Sequence, residues 1–572
     1  MKKHEPMLCL KSLLWVLLTL ASGASIAETV AQTAPTMMNQ GSQWNNKTRN
    51  EFYSQDQGSR MIPLKWARAL KQPNGEPFLA ANLDRYGYLP NPASPAGLPV
   101  GFTTNTGNNT TYLGMTCAAC HTRQIDVAGT SYRIDGGPAF TDLQSFFGDL
   151  NTAVATVLSD DAAFNQFAKD VLGGTPSTSA KKKLRDAVAA WFLPNDAIVK
   201  GSLPVNAPWG PVRADAISLI FNRVSGLDIG PPPTYMIPEN IKLADVPVRY
   251  PFLWNASKQD FTQWPGFSPN GNKLFGLSRN VGEVIGVFAE FHPVKDKWKF
   301  LKVNYAKNNS ANFRGLNKLE DLIMQLGPPK WPWPLDQALV ARGALVYKQK
   351  DAAQGNQSCE DCHGIKKGKF RRLFHESWAT PIVDVGTDSR EINLLGSQVK
   401  TGVLEGAGVF GSAPLKPVDS AVTVLKLAVV GSILQHYFIL GLPAGKEGKP
   451  EQLKDTWQPF GLGSTSASGP FPYESRVMQG IWAAAPYLHN GSVPTLTELL
   501  TPDSQRVSQF MVGPAYDINR VGLAAQQTKF NYTLKTTDCS DRNSGNSRCG
   551  HNYGTSFSAE DKKALLEYLK SL

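Results

Sequence analysis

A chain of 572 residues with 42% hydrophobic and 18% charged residues has enough apolar side chains for several cores, roughly two to four domains by length, which excludes a disordered protein. A formal charge of +11 suits plain solubility or docking to an acidic partner, and the export signal described next disfavours nucleic acid as that partner. Fifty Gly and forty Pro point to long connections between short elements.

Residues 1–27 read as a secretory signal. Lys2 and Lys3 give the positive start, residues 8–20 form an apolar stretch broken only by Lys11, Ser12 and Thr19, and Ser25-Ile26-Ala27 is a small-x-small cleavage site. Glu28 would begin the mature chain. The apolar stretch is too short to span a bilayer. The longest later candidate, 421–442, is interrupted by Lys426, Gln435 and His436 and reads as a buried helix. The mature protein is therefore expected to be periplasmic or secreted, with no stable membrane insertion.

Of seven cysteines, Cys9 leaves with the signal and four fall in two pentapeptides, Cys117-Ala118-Ala119-Cys120-His121 and Cys359-Glu360-Asp361-Cys362-His363. C-x-x-C-H is the attachment signature of c-type haem: two thiols add across the vinyl groups of one porphyrin edge, and the adjacent imidazole reaches the iron. A redox C-x-x-C or a zinc knuckle would also use paired cysteines, but neither needs the following His. Two such motifs behind an export signal predict two c-type haems with their iron.

Around the first motif, 89–107 and 129–138 read as Gly/Pro-rich loops and 140–158 as a helix. Ahead of the second, 336–347 has its small and apolar residues on one helix surface. The C-terminus, 558–572, opens with a capping box at Ser558-Ala559-Glu560-Asp561. The expected organisation is a first cytochrome c-like haem domain at 28–200, an inter-haem middle segment at 201–334 rich in Pro and Trp, and a second cytochrome c-like haem domain at 335–572. The fold class expected is mainly α with extensive loops, the two haem domains joined by an irregular middle segment.

With His4 in the signal and His121 and His363 as proximal ligands, the remaining histidines are His292, His375, His436, His489 and His551. None lies between His121 and His292, so the first haem has no distal His nearby in sequence. Met115 and Met236 remain as thioether candidates, although Met is more often core filler. The first haem reads as five-coordinate or weakly ligated, which leaves a place for peroxide or O₂.

The segment 485–496, Ala-Pro-Tyr-Leu-His-Asn-Gly-Ser-Val-Pro-Thr-Leu, resembles the A-P-Y-[FL]-H-x-G-x-x-x-x-L stretch of bacterial di-haem cytochrome c peroxidases. Trp264-Pro265-Gly266 followed by Asn280-Val281-Gly282-Glu283 is similar to the W-x-G and N-x-x-E segments of the same superfamily. The wording at 279–283 and Gly550-His551-Asn552-Tyr553-Gly554 look more like the branch that includes the di-haem rubber oxygenases. The resemblance implies that Trp264 lies between the haems and that Glu283 overhangs the reactive one. The Met that ligates the second haem in the peroxidases is replaced here by Asp503. The rubber-oxygenase likeness offers His551 instead, with His489 or Met511 as substitutes, and Cys539 and Cys549, flanking the approach to His551, can pair. Taken alone, Trp264 is one of thirteen Trp, and Glu283 on a helix would be unremarkable; their joint spacing carries the reading.

The expected function is a di-haem c-type cytochrome with electron-transfer and peroxidase-like oxidoreductase activity, taking peroxide or O₂ and a small redox protein as electron donor or acceptor. The alternatives are an O₂-dependent oxygenase cleaving an apolar, polyisoprenoid-like substrate, and a non-catalytic electron carrier or sensor.

Overall fold

Two β-hairpins meet at the first C-x-x-C-H motif, and their turns explain why. Strand β1 spans Thr36–Met37, β2 Ile62–Pro63, β3 Phe102–Gly107, β4 Thr110–Met115, β5 Thr122–Val127 and β6 Thr130–Asp135. Between β3 and β4 the chain turns on Asn108 and Asn109, and between β5 and β6 on Ala128 and Gly129, all with positive φ, as the tight hairpin turn of the right twist demands. One sheet has the order β2-β4-β3 and the other β1-β6-β5, with β1 parallel to β6. The motif is the connection from β4 to β5.

The structure is a computed structural model that describes Met1 and residues 34–299, 301–368, 377–408, 413–439 and 469–572. The signal reading at 1–27 and His375 lie outside the described residues. The sheets correct two expectations. The loops expected at 89–107 and 129–138 contain β3 and β6, because the Thr, Phe, Tyr and Ile there favour extended backbone while the neighbouring Gly and Asn mark only the turns. The fold is accordingly mixed, helix with sheet, rather than mainly α.

Helix α1 (Asn46–Ser54) is pinned to β6 through buried Asp135, which accepts from Trp44 Nε1 at 2.7 Å, Arg49 Nε at 2.7 Å and the Tyr53 hydroxyl at 2.6 Å. The motif itself forms a single turn, α2 (Cys117–Cys120). Helix α3 (Leu143–Ser159) begins at Asp142, whose carboxylate accepts the Ser145 N–H, and buries Phe146, Leu150, Val154 and Val157. Helices α4 (Asp161–Leu172) and α5 (Thr178–Ser202) complete this side.

The middle segment is more regular than expected. It holds α6 (Ala216–Phe221), continued by a π-helical turn at Asn222–Asp228, then α7 (Lys273–Val287) and α8 (Phe313–Gln325). Helix α7 buries Leu277, Val281, Val284 and Ile285, a helical repeat that its interspersed glycines obscure. Helix α9 (Gln337–Lys348) leads into the second motif, α10 (Cys359–His363); α11 (Ala421–Ile439) is a mostly buried helix, and α12 (Ala559–Ser571) ends the chain.

Helices α9 and α12 cross at Gly343, where a Cβ would overlap the Ala564 carbonyl oxygen and lie 2.6 Å from Tyr568 Cβ. Ser558 caps α12 by accepting the Asp561 N–H at 3.1 Å. Among the described residues no helix is long and apolar enough to cross a membrane. One apolar core runs from Met38 to Leu569 and a second from Met61 to Phe288, and Pro35–Leu572 form one compact unit. The expected borders at 200 and 334 therefore fall within continuous packing.

Candidate haem sites

Each motif opens into its own cavity. At the first, the Thr116 hydroxyl accepts the Ala118 N–H at 3.3 Å and starts α2, and Gly101, at φ 77°, lets the backbone of Ala118 and Ala119 approach. Cys117, Cys120 and His121 line a cavity of ≈ 210 Å³. His121 Nδ1 lies 2.9 Å from the Pro251 carbonyl oxygen. A carbonyl can only accept, so Nδ1 carries the proton and Nε2 keeps its lone pair for a metal. Burial pushes this imidazole down to about 4, which keeps it neutral.

His121 is the single imidazole among the residues lining this first cleft. Met115 is there, but Met236 is not. Glu283, projecting from α7, lines it too. Gln263, at φ 67°, donates its amide to Glu283 Oε1 at 2.7 Å, and burial raises the carboxyl above its ordinary range. The preceding turn of α7 is anchored to α8: Arg279 and Asn280 both bond Glu320, and Arg279 reaches Asn270 Oδ1 at 2.7 Å.

The second motif is entered through a complete capping box: Ser358 Oγ accepts the Asp361 N–H at 3.3 Å, while the Asp361 carboxylate accepts the Ser358 N–H at 2.7 Å. His363 Nδ1 lies 2.7 Å from the Arg476 carbonyl oxygen, so it too presents Nε2. Across this cavity stands His551, its ring centre 6.2 Å from that of His363 with 43° between the planes. Both line the same cavity of ≈ 170 Å³.

The loop carrying His551 is tightly held. Cys539 and Cys549 are disulfide-bonded, with Cα atoms 5.3 Å apart. Arg506 donates to the carbonyls of Arg548, Gly550 and His551 at 2.7, 2.8 and 3.2 Å, and the His551 N–H donates to Val385 O at 2.8 Å. Burial, aided by His363 and Arg506, pushes the His551 imidazole down to about 3. His489 lines the same cleft, stacked on Tyr473 at 3.8 Å, whereas Met511 is not among the lining residues.

Arg249, Phe252, Trp264, Glu474 and Arg476 line both clefts and form the wall between them. The Trp264 indole N–H donates to Arg249 O at 2.9 Å, and the Arg249 guanidinium sits 4.9 Å over the indole ring. Arg476 donates to Gln259 Oε1 at 2.8 and 3.1 Å, stacks on Phe252 at 4.0 Å, and lies 3.6 Å from Glu474. Apart from Trp264, sequence reasoning did not find this wall. An Arg within an apolar run, as in Val248-Arg249-Tyr250, was the one available signal.

These residues fit haem. A metal bonded to two imidazoles at roughly 2 Å each places the ring centres about 6 Å apart, as His363 and His551 are placed. Arg249 is 3% exposed, its Nε has no partner, and burial pushes it down to about 9. A buried guanidinium in that state calls for an anion, and haem carries two propionates.

Comparison with known proteins points to the same class. Residues 472–511 match the model of the RoxA-like, cytochrome c-like family, which supports a haem-binding cytochrome c character with c-type haem and iron. The chain is similar to the uncharacterized protein y4iJ of Sinorhizobium fredii (strain NBRC 101917 / NGR234), at 28% identity over 92% of each chain. It is also similar to the uncharacterized protein y4iM of the same strain, at 25% identity over 59% of this chain and 66% of the relative.

Proposed function

We propose that the chain is an exported di-haem c-type cytochrome acting as a peroxidase-like oxidoreductase, one haem held at Cys117, Cys120 and His121 and the other at Cys359, Cys362 and His363. The observation that carries this is an imbalance: His551 faces His363 at 6.2 Å, while the cleft at His121 offers no second imidazole and the half-buried Glu283 carboxyl instead. The first site is thereby suited to an incoming oxidant and the second to a low-spin electron relay with His551 as its second ligand.

Haem, when bound, supplies the redox chemistry. Glu283 supplies proton transfer, taking a proton from the near oxygen of peroxide and delivering it to the far one; its raised affinity for a proton suits both steps. Gln263 orients the carboxyl from Oε1. Trp264, in the shared wall, assists electron passage between the sites, and Arg249 and Arg476 hold propionate charge there. Export is supported by the Cys539–Cys549 disulfide, a bond of oxidising compartments. The positive charge supports a small acidic redox protein as electron partner.

A second reading is an O₂-dependent oxygenase of an apolar, polyisoprenoid-like substrate. It is favoured by an apolar pocket bordering Glu283 and lined by Ile220, Phe221, Phe267, Val422 and Val429. Absorption spectra of the purified haem-loaded protein separate the two. Peroxide consumption with a reduced donor supports the peroxidase reading. Stable O₂ binding with oxidation of an apolar polymer, and no peroxide turnover, replaces it.

A further inference from the structure

Among the described tryptophans only Trp298 stands in solvent, 86% exposed. A lone apolar side chain on a surface is ordinary; the company this one keeps is not. Lys295, Lys297 and Lys302 are exposed beside it in the chain and Lys299 is partly so, with Asp296 as the one acidic residue in that stretch. Lys297 Nζ lies 5.2 Å over the indole ring, and none of the four lysines is ion-paired among the described residues. Like charges gathered this closely repel one another until an anion joins them.

The hairpin that carries them has a fixed base. Val294–Lys295 pairs antiparallel with Val303–Asn304. Leu301, Val303 and Tyr305 alternate into the core, and Gln435 of α11 holds that strand twice, accepting the Tyr305 N–H at 2.6 Å and donating to Val303 O at 2.6 Å. Nearer the turn, the Asp296 N–H donates to Lys302 O at 2.9 Å, and the Asp296 carboxylate accepts the Trp298 N–H at 3.1 Å. The indole is therefore held outside by backbone geometry, while the apolar residues that follow it are drawn inward.

Two kinds of partner answer a cationic, aromatic tip: an acidic protein and an anionic lipid surface. Size decides between them. A specific protein interface buries about 800 Å² on each partner around an apolar centre of several side chains, and one indole among ammonium groups supplies no such centre. At a bilayer one indole suffices, because its ring is at home at the level of the headgroups, with the apolar body inward and the N–H in water. Each Lys close to an anionic leaflet strengthens binding about fivefold.

We propose that Trp298, with Lys295, Lys297, Lys299 and Lys302, is a peripheral docking point for an anionic phospholipid surface, the indole entering at headgroup depth and the ammonium groups pairing with lipid phosphates. Such docking needs no spanning helix. The inference goes beyond the peroxidase reading and does not rest on it, because the hairpin tip lines neither haem cleft.

The test is co-sedimentation of the haem-loaded protein with vesicles of phosphatidylglycerol and phosphatidylcholine in equal parts, and with vesicles of phosphatidylcholine alone. Binding to the anionic vesicles should be at least tenfold tighter and should weaken as salt is added. Trp298→Ala should weaken it at least threefold, and Lys297→Gln combined with Lys299→Gln at least tenfold. Lys181→Gln combined with Lys183→Gln, which removes the same charge from α5, should change it less than twofold. Circular dichroism and the haem spectrum verify that each variant is folded. No sedimentation with anionic vesicles, equal binding to both kinds, or binding that falls as far in the α5 variant as in the hairpin variant overturns the proposal. Retention of the unaltered protein but not of the hairpin variants on immobilised polyglutamate, without vesicle binding, overturns it in favour of an acidic protein.

Discussion

Replacing Gly343 by alanine sets two effects against each other. In a helix interior, Ala is favoured over Gly by about 1 kcal/mol, so propensity alone stabilises the variant. Against that, the added methyl would overlap the Ala564 carbonyl oxygen and lie 2.6 Å from Tyr568 Cβ, and both obstacles belong to the body of α12 rather than to the end of a flexible side chain. The helices must separate, at a cost of about 1–3 kcal/mol for an overpacked contact, and the net expectation is a loss of about 1–2 kcal/mol. Gly148, within α3, is the matching control: a Cβ there meets nothing within 4 Å, so Gly148→Ala should gain about 0.5–1 kcal/mol. Urea unfolding of the haem-loaded proteins, followed by circular dichroism, should show the two midpoints moving in opposite directions. A midpoint that rises in Gly343→Ala as it does in Gly148→Ala would refute the close crossing.

His551→Ala should convert one haem from low to high spin in the electron paramagnetic resonance spectrum; an unchanged spectrum would pass the role to His489, the other unassigned imidazole in that cleft. Glu283→Gln should keep both haems bound while peroxide turnover falls at least tenfold, within the usual range of general acid–base help, and full turnover in that variant removes Glu283 from the mechanism. Burial pushes Asp215 up from 3.8 to about 7, so the folded state binds its proton more tightly than the unfolded chain does. Its contribution therefore erodes stability as pH rises from about 4 to about 7 and is constant above. Asp215→Asn should flatten the fall in stability across that window, although it also weakens one of the bonds to Ser218 and Val246. An unaltered slope in urea midpoints between pH 4 and pH 7 would count against that burial effect.

What the sequence revealed depended on how local the signal was. The two C-x-x-C-H motifs are five residues long and so were readable at once, whereas the carbonyls of Pro251 and Arg476 that hold Nδ1 of His121 and His363 come from far along the chain. Helices with local caps were also readable: the expected 336–347 is α9, capped by Asp336, and Ser558 starts α12 where its hydroxyl forecast. Helix α3 begins at Leu143, three residues after the expected start, because Asp142 provides the cap. The strands β3 and β6 were missed since the Asn and Gly of a tight hairpin turn look the same as those of a loop until the pairing is known. The wall between the clefts was not legible at all beyond Trp264. Arg249 and Arg476 are far apart in the chain, and nothing in the residues beside them states that folding buries both against one indole and one phenyl ring. His551 came through a likeness near the C-terminus, and its placement depends on Arg506 and on a disulfide that closes only in three dimensions.

The partition formed by Arg249, Phe252, Trp264, Glu474 and Arg476 has an evolutionary consequence. Three of its members come from the middle of the chain and two from a stretch more than two hundred residues later, so a gene fragment encoding either motif alone would specify an unfinished surface. A substitution at any one of the five alters both clefts together. The two clefts are thus one unit of inheritance, since a change to their shared wall reaches both.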